Sequence, residues 1–175
     1  MQYIEIQATE INRELFEHFQ RHQIVNQCWR KVDEQWCIKD APFTDDWNEE
    51  EYSELIACLK NTITSGGIVL GAFSNGMLKG FFSVEPALFG KNKEYLDLSA
   101  IHVSEDMRGK GIGKKLFELA KIWAKEHGAK KLYISAHSAL ESQAFYRAMG
   151  CCEAQEYNLF HVEKEPYDCQ LECTL

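Results

Sequence analysis

The chain has 175 residues, of which 45% are hydrophobic, and a formal net charge of −8. That is long and apolar enough for one domain spanning 1–175 with a sizeable core, which disfavours disorder. The acidic balance argues against a general nucleic-acid binder, which would need a basic face. No apolar run reaches the length of a membrane span, and no basic-then-apolar leader follows Met1. The seven cysteines are odd in number and lack C-x-x-C spacing. They read as small buried thiols of a reduced, cytoplasmic protein rather than as metal ligands.

In chain order, Gln2 to Ala8 alternates as a half-buried strand. Ile11, Leu15, Phe16 and Phe19 then fall on one helical face. Residues 21–47 are less regular and hold Trp29, Trp36, Phe43 and Trp47 among Asp33, Glu34, Asp40, Asp45 and Asp46. Such a wall could hold a cation; the alternative is a loop packed by its own aromatics, with its acids solvated or capping helices. Asn48 to Thr64 reads as a helix with Tyr52, Leu55, Leu59 and Ile63 inward and three glutamates in its first turn. A hairpin follows, Gly67–Phe73 and Met77–Val84, turning at Ser74-Asn75-Gly76. Tyr95 to Val103 reads as one central strand, with Asp97, Ser99, Ile101 and Val103 sharing a face. A strongly amphipathic helix runs from Ile112 to His127 and stops at Gly128. Then come a short apolar strand, Leu132–Ala136, and a helix, Leu140–Met149. Two last strands are expected, about 154–162 and 167–175. The second could serve as a sheet-extending edge for a homodimer.

Between the central strand and the long helix lies a glycine-rich, basic turn, Ser104 to Lys115. Glycines let backbone N–H groups approach a ligand, and the helix adds the positive end of its dipole. Together these suit a phosphate or pyrophosphate. A Walker loop and a dinucleotide fingerprint both need a glycine where Lys114 stands. The pattern that fits is Arg108-x-x-Gly111-x-Gly113, which resembles the pyrophosphate loop of the GNAT superfamily of acyl-CoA-dependent N-acyltransferases. A second match, Ser142 to Gly150 with Phe145-Tyr146 inside it, resembles the segment that closes the coenzyme site there. Cys151 replaces the aromatic usual after that glycine. The resemblance is best from Gly67 to Cys151.

It implies an α/β fold: a mixed, mostly antiparallel sheet, splayed near the coenzyme, with helices on both faces. It also implies acetyl transfer from acetyl-CoA to an amine, small-molecule or peptide, by direct attack and without a metal. An acyl-CoA sensor that has lost transfer is the alternative. The coenzyme would meet Ile101, His102, Val103, Arg108, Gly109, Lys110, Gly111, Ile112, Gly113, Lys114 and Tyr146. Ala139 stands where family members often carry an asparagine, so Ser138 or Ser142 would replace it. Tyr146 matches the general acid that protonates the departing thiolate. For the base, Asp97, His102, Glu85 and His137 are candidates, as is a water relay. Trp29, Trp36 and Trp47, with Glu85, are the candidate acceptor contacts.

Overall fold

The computed structural model describes residues 1–175. Two four-stranded sheets and a separate hairpin carry four α-helices. The first sheet contains β1 (Gln2–Glu5), β4 (Ile68–Ser74), β5 (Met77–Val84) and β7 (Ala100–Val103), in that spatial order and antiparallel throughout. The second runs β6 (Tyr95–Asp97), β8 (Lys131–Ala136), β10 (Cys169–Thr174), β9 (Cys152–Glu153). Only its β6–β8 pair is parallel. The helices are α1 (Glu49–Thr64), α2 (Ile112–Glu126), α3 (Leu140–Ala148) and α4 (Leu159–Lys164).

Local sequence sets several of these elements. Asn48 caps α1 by accepting from the N–H groups of Glu50 and Glu51, while Glu51 accepts from the Asn48 N–H at 2.7 Å. That reciprocal box satisfies donors that the first turn leaves free. The β4–β5 turn places Asn75 and Gly76 at φ of 51° and 77°, the left-handed pair that a two-residue hairpin turn requires.

The core has two parts. Eighteen buried residues lie beneath α2, among them Phe82, Leu96, Leu116, Phe117, Leu132 and Tyr146. Nine more lie on the other face under α1, including Ile11, Phe16, Phe19, Tyr52, Leu59 and Phe81. Each fully buried Leu or Phe contributes about 2 kcal/mol. Helices therefore cover both faces, as the α/β reading expects.

Four expectations need correction. The central strand is not continuous: it breaks at Leu98–Ser99, so β6 pairs with β8 while β7 pairs with β5. The Leu98 N–H still reaches the Tyr133 carbonyl (2.9 Å), after which the two sheets part. This break opens the molecule and removes Asp97 from the face of Ile101 and Val103. Residues 21–47 are a long hairpin, β2 (His22–Val32) and β3 (Gln35–Asp46), turning at Asp33-Glu34 with both φ positive. No glycine marked that turn, and a bulge after Val25 disrupts the alternation, with Pro42 falling unpaired in it. The first helix shrinks to a 3-10 turn, Glu14–Phe16, although Ile11, Phe16 and Phe19 are buried.

The last correction concerns 154–162, where Asn158 accepts from the Phe160 N–H and caps α4 instead of continuing a strand. β10 is consequently an inner strand, flanked by β8 and β9, and offers no free edge along Leu171–Glu172 to a second copy.

Candidate active site

Where β7 and β8 diverge, a cavity of about 1030 Å³ opens between the sheets. The N-terminus of α2 closes one end, α3 forms a wall, and the β2–β3 hairpin roofs it. The roof is tied at both sides. The Gln20 N–H donates to Ser104 Oγ and the Glu105 N–H to the Gln20 carbonyl, both at 2.9 Å. On the far side the Trp29 N–H donates to the Ser138 carbonyl at 2.8 Å.

One end is made of backbone. Gly109 and Gly111 adopt φ of 74° and 79°, and a Cβ built on either would meet nothing within 4 Å. These glycines are therefore demanded by backbone conformation, and they leave open space in front of the loop. α2 begins after Gly111 with no side-chain cap, so the N–H groups of Ile112, Gly113 and Lys114 lack intrahelical acceptors. Gly113 has a different reason: a Cβ there would sit 3.3 Å from the Phe145 ring. Arg21, Arg108 and Lys114 line this end. Arg108 Nε donates to the Val103 carbonyl at 3.2 Å and ties the loop to β7. The site fits a pyrophosphate: unpaired N–H groups, open space and cationic side chains converge.

Ile101, His102 and Val103 form the strand side of the cavity, and Ser142 and Tyr146 face it from α3. Tyr146 is 8% exposed and its hydroxyl makes no hydrogen bond within the chain. Burial pushes its pKa up, with Cys151 and Asp168 adding to the shift, so the hydroxyl stays protonated and able to donate. His102 lies 4.7 Å from Trp47 and 5.4 Å from Phe81, ring to ring. Burial, then Arg21 and Arg108, lower its pKa to about 3, which leaves a neutral ring with little appetite for a proton.

Several expected residues lie elsewhere. Lys110 turns away, its Nζ donating to the Asp106 carbonyl at 3.1 Å. Ser138 is buried against Arg30 at 2.6 Å, so of the two serines only Ser142 reaches the cavity. Asp97 binds His161 Nε2 at 2.6 Å, and its other oxygen is buried without a partner. Glu85 accepts from Thr62 Oγ1 (2.5 Å) and Ser99 Oγ (2.9 Å), outside the cavity. Trp29 and Trp36 belong to a separate cavity of about 170 Å³, with Arg147 stacked 4.7 Å from the Trp29 ring. Of the aromatic wall only Trp47 lines the main cavity, beside Arg21 and Asp45, which are themselves paired.

The far end is made of side chains, of which the sequence reading had singled out only His137. Ser135, His137, Glu141, Glu165 and Asp168 all line the cavity. His137 Nδ1 accepts from the Ala139 N–H at 3.1 Å, so in the neutral ring Nε2 carries the hydrogen and donates. Burial raises the pKa of Asp168, opposed by a bond from Ser135 Oγ. The available signal was the run of alternate polar residues in the last strand, Asp168, Gln170 and Glu172; Gln170 and Glu172 are only 3% and 4% exposed.

No curated protein matches in sequence. Among solved structures, a Bacillus anthracis protein assigned as a candidate streptothricin acetyltransferase, solved with acetyl coenzyme A, superposes with a TM-score of 0.71. The two are 18% identical over 100% of this chain and 99% of that one. A nourseothricin acetyltransferase gives 0.67 at 18% identity, covering 98% of this chain and 95% of its own. A ribosomal-protein-alanine N-acetyltransferase from Brucella melitensis gives 0.61 at 17% identity, with full coverage of both chains. At such identities these likenesses establish the fold. The family model described as the acetyltransferase (GNAT) family matches residues 17–151, most of the chain and both glycine motifs. The chain belongs to the GNAT acetyltransferase family.

Proposed function

We propose that this protein transfers an acetyl group from acetyl-CoA to the nitrogen of an amine, directly, with both substrates in the cleft. The observation that carries the reading is that a backbone-built anion end, an acidic end and the unpaired hydroxyl of Tyr146 line one cavity. Acetyl-CoA is the donor substrate. Its pyrophosphate suits the free N–H groups of Ile112 to Lys114, with Arg108 and Lys114 supplying charge. Ile101 to Val103, freed from β8 by the splay, present unpaired backbone to the pantetheine arm, and Ser142 stands where a further polar contact is wanted.

An alkyl ammonium has a pKa of about 10.4 and must shed a proton before attack. The free thiolate resembles a cysteine thiolate, with a pKa of about 8.5, and takes a proton on leaving. Tyr146 is placed to give it: protonated, nearly buried, and without another acceptor for its hydroxyl. The acceptor is a small-molecule or peptide amine that enters under the hairpin, past Trp47 and Asp45. Glu141, Glu165 and Asp168 give the far end of the cleft a charge that attracts an ammonium group. Seven cysteines outside any disulfide suit a reducing cytoplasm, and no helix is long and apolar enough to cross a membrane.

The test is thiol release from acetyl-CoA with spermidine, a lysine ester and a peptide with a free N-terminus, each with product identified by mass spectrometry. Acetylated amine in amounts equal to the thiol supports the reading. Acetyl-CoA binding without transfer to any of them would make the protein a sensor.

A further inference from the structure

The acidic end holds one group whose surroundings are more ordered than a solvated carboxylate needs. Asp168 precedes β10, and its side chain lines the cavity that Tyr146 also lines. Ser135 Oγ, from β8, donates to Asp168 Oδ2 at 3.1 Å. Gln170 Nε2 donates to Ser135 Oγ at 3.0 Å, and the Tyr133 hydroxyl donates to Gln170 Oε1. Tyr133 and Gln170 are 0% and 3% exposed, so this chain of donors is anchored in the core and runs outward to the carboxylate. Oδ1 of Asp168 makes no hydrogen bond within the chain.

We infer that Asp168 is the base that takes the proton of the attacking amine, and that Ser135 positions it. The inference rests on the transferase reading above. Each residue that the sequence offered as a base is engaged or poorly suited. Asp97 is committed to His161, and Glu85 to Thr62 and Ser99. Nδ1 of His137 accepts from the backbone, and His102 is held neutral among aromatic rings.

The step balances without any oxidant or further reactant. The neutral amine nitrogen bonds to the acetyl carbonyl carbon and becomes strongly acidic as it does so. Asp168 takes the proton from that nitrogen. The C–S bond breaks, and the sulfur takes a proton from the Tyr146 hydroxyl. The products are an amide and a free thiol. Asp168 then returns its proton, by way of solvent, to the tyrosinate.

The groups facing Asp168 are Ser135 on β8, His137 in the loop after it, Tyr146 on α3, His161 on α4, and Glu165 beyond α4. Burial and Glu165 raise its pKa, while the Ser135 bond, His137 and His161 lower it, and the net direction is upward. A carboxylate above its usual range is the stronger proton acceptor. It is also lost as a base at a higher pH than an ordinary aspartate, so the acid side of the pH profile carries its signature.

The experiment compares wild type, Asp168→Asn, Asp168→Glu and Ser135→Ala, with acetyl-CoA and spermidine or a lysine ester as probes. Acetyl-CoA affinity, measured by calorimetry, checks that each variant is folded and loaded. Asp168→Asn is expected to lower kcat by roughly 100- to 10,000-fold with acetyl-CoA affinity unchanged. In wild type, log(kcat/KM) should fall with slope one below the amine pKa and steepen further as Asp168 protonates; Asp168→Asn should lose that second bend. Ser135→Ala should lose roughly 10- to 100-fold, the size expected from misplacing a reacting group, and keep the bend. Asp168→Glu should recover part of the rate. An Asp168→Asn enzyme with wild-type kcat, or with the bend intact, overturns the inference while leaving the transferase standing. A wild-type protein that acetylates no probe overturns the transferase reading, and this inference with it.

Discussion

At one end of the cleft, Gly109 to Lys114 offer backbone N–H groups that are set by two left-handed glycines and the start of a helix. At the other end, Ser135, His137, Glu165 and Asp168 offer side chains drawn from two separate stretches of chain. The first end needs only its own few residues to take the right shape. The second exists only if β8, β10 and α4 pack correctly against one another. A phosphate is the same in every reaction that uses the donor, so a backbone cradle serves. An acceptor differs from enzyme to enzyme, and side chains on variable loops can follow it. Tyr146 lines the same cavity as both ends.

Substitutions should separate the two ends. After Asp168→Asn, the largest effect is expected at Tyr146. Tyr146→Phe keeps the ring against Phe117 and Phe145, 6.2 and 5.1 Å away, and removes only the hydroxyl. It should lower kcat by roughly 10- to 1000-fold with acetyl-CoA affinity nearly intact, as a contact made only in the transition state requires. Full turnover in that variant, with chemistry rate-limiting, would mean the hydroxyl is structural.

Next comes the backbone end. Gly111→Val forces a branched residue to a φ of 79°. That strain costs roughly 1–3 kcal/mol and can be relieved by moving the loop. Acetyl-CoA affinity should therefore drop by roughly 10- to 100-fold while the melting temperature changes little, because no neighbour is displaced. Calorimetry on the folded variant checks this, and unchanged affinity would remove the loop from the donor site.

The acidic end should fail through packing instead. His161→Ala leaves Asp97, 13% exposed and already short of one partner, without its ion pair. Breaking a largely buried pair costs about 3 kcal/mol. The His161 pKa is raised, first by the bond its Nε2 donates to the Asp97 carboxylate. Its contribution is therefore full below the unfolded histidine value of about 6.5 and is lost as pH rises through the higher folded value. Denaturant titrations should show a larger penalty for His161→Ala near pH 6 than near pH 9; a penalty independent of pH would contradict the pairing.

The smallest effects belong to the tryptophans. Trp47→Ala should raise the acceptor KM by roughly 3- to 10-fold, the scale of a cation–π contact. Trp36→Ala should leave it unchanged, since Trp36 lines the smaller cavity and donates to Glu153 at 3.1 Å. Equal effects from both would restore the continuous aromatic wall.

The same contrast explains what could be read from the chain. Arg108-x-x-Gly111-x-Gly113 and Phe145-Tyr146 act through local geometry, so they stood in plain view, and with them the fold. The break at Leu98–Ser99 left no mark in the pattern, because Leu96, Leu98 and Ala100 alternate without interruption, and only the resemblance implied a splayed sheet. What splits the strand is competition between β5 and β8 for its backbone, a tertiary matter. Asp97 was misplaced for that reason. Asp168 was overlooked because a polar strand face normally faces water, and here Lys131, Tyr95 and Tyr133 satisfy it internally through Glu172 and Gln170. The hairpin at residues 21–47 was hidden by a turn of two acidic residues in place of the usual glycine.

The central claim is that this cleft joins an acetyl group to an amine. Its most direct measurement is an incubation of the purified protein with isotope-labelled acetyl-CoA and spermidine, in which labelled amide and free thiol are counted together. Labelled N-acetyl product forming in equal amount to the thiol, and suppressed in Tyr146→Phe, is the predicted result. Thiol released with free labelled acetate and no labelled amide would contradict it.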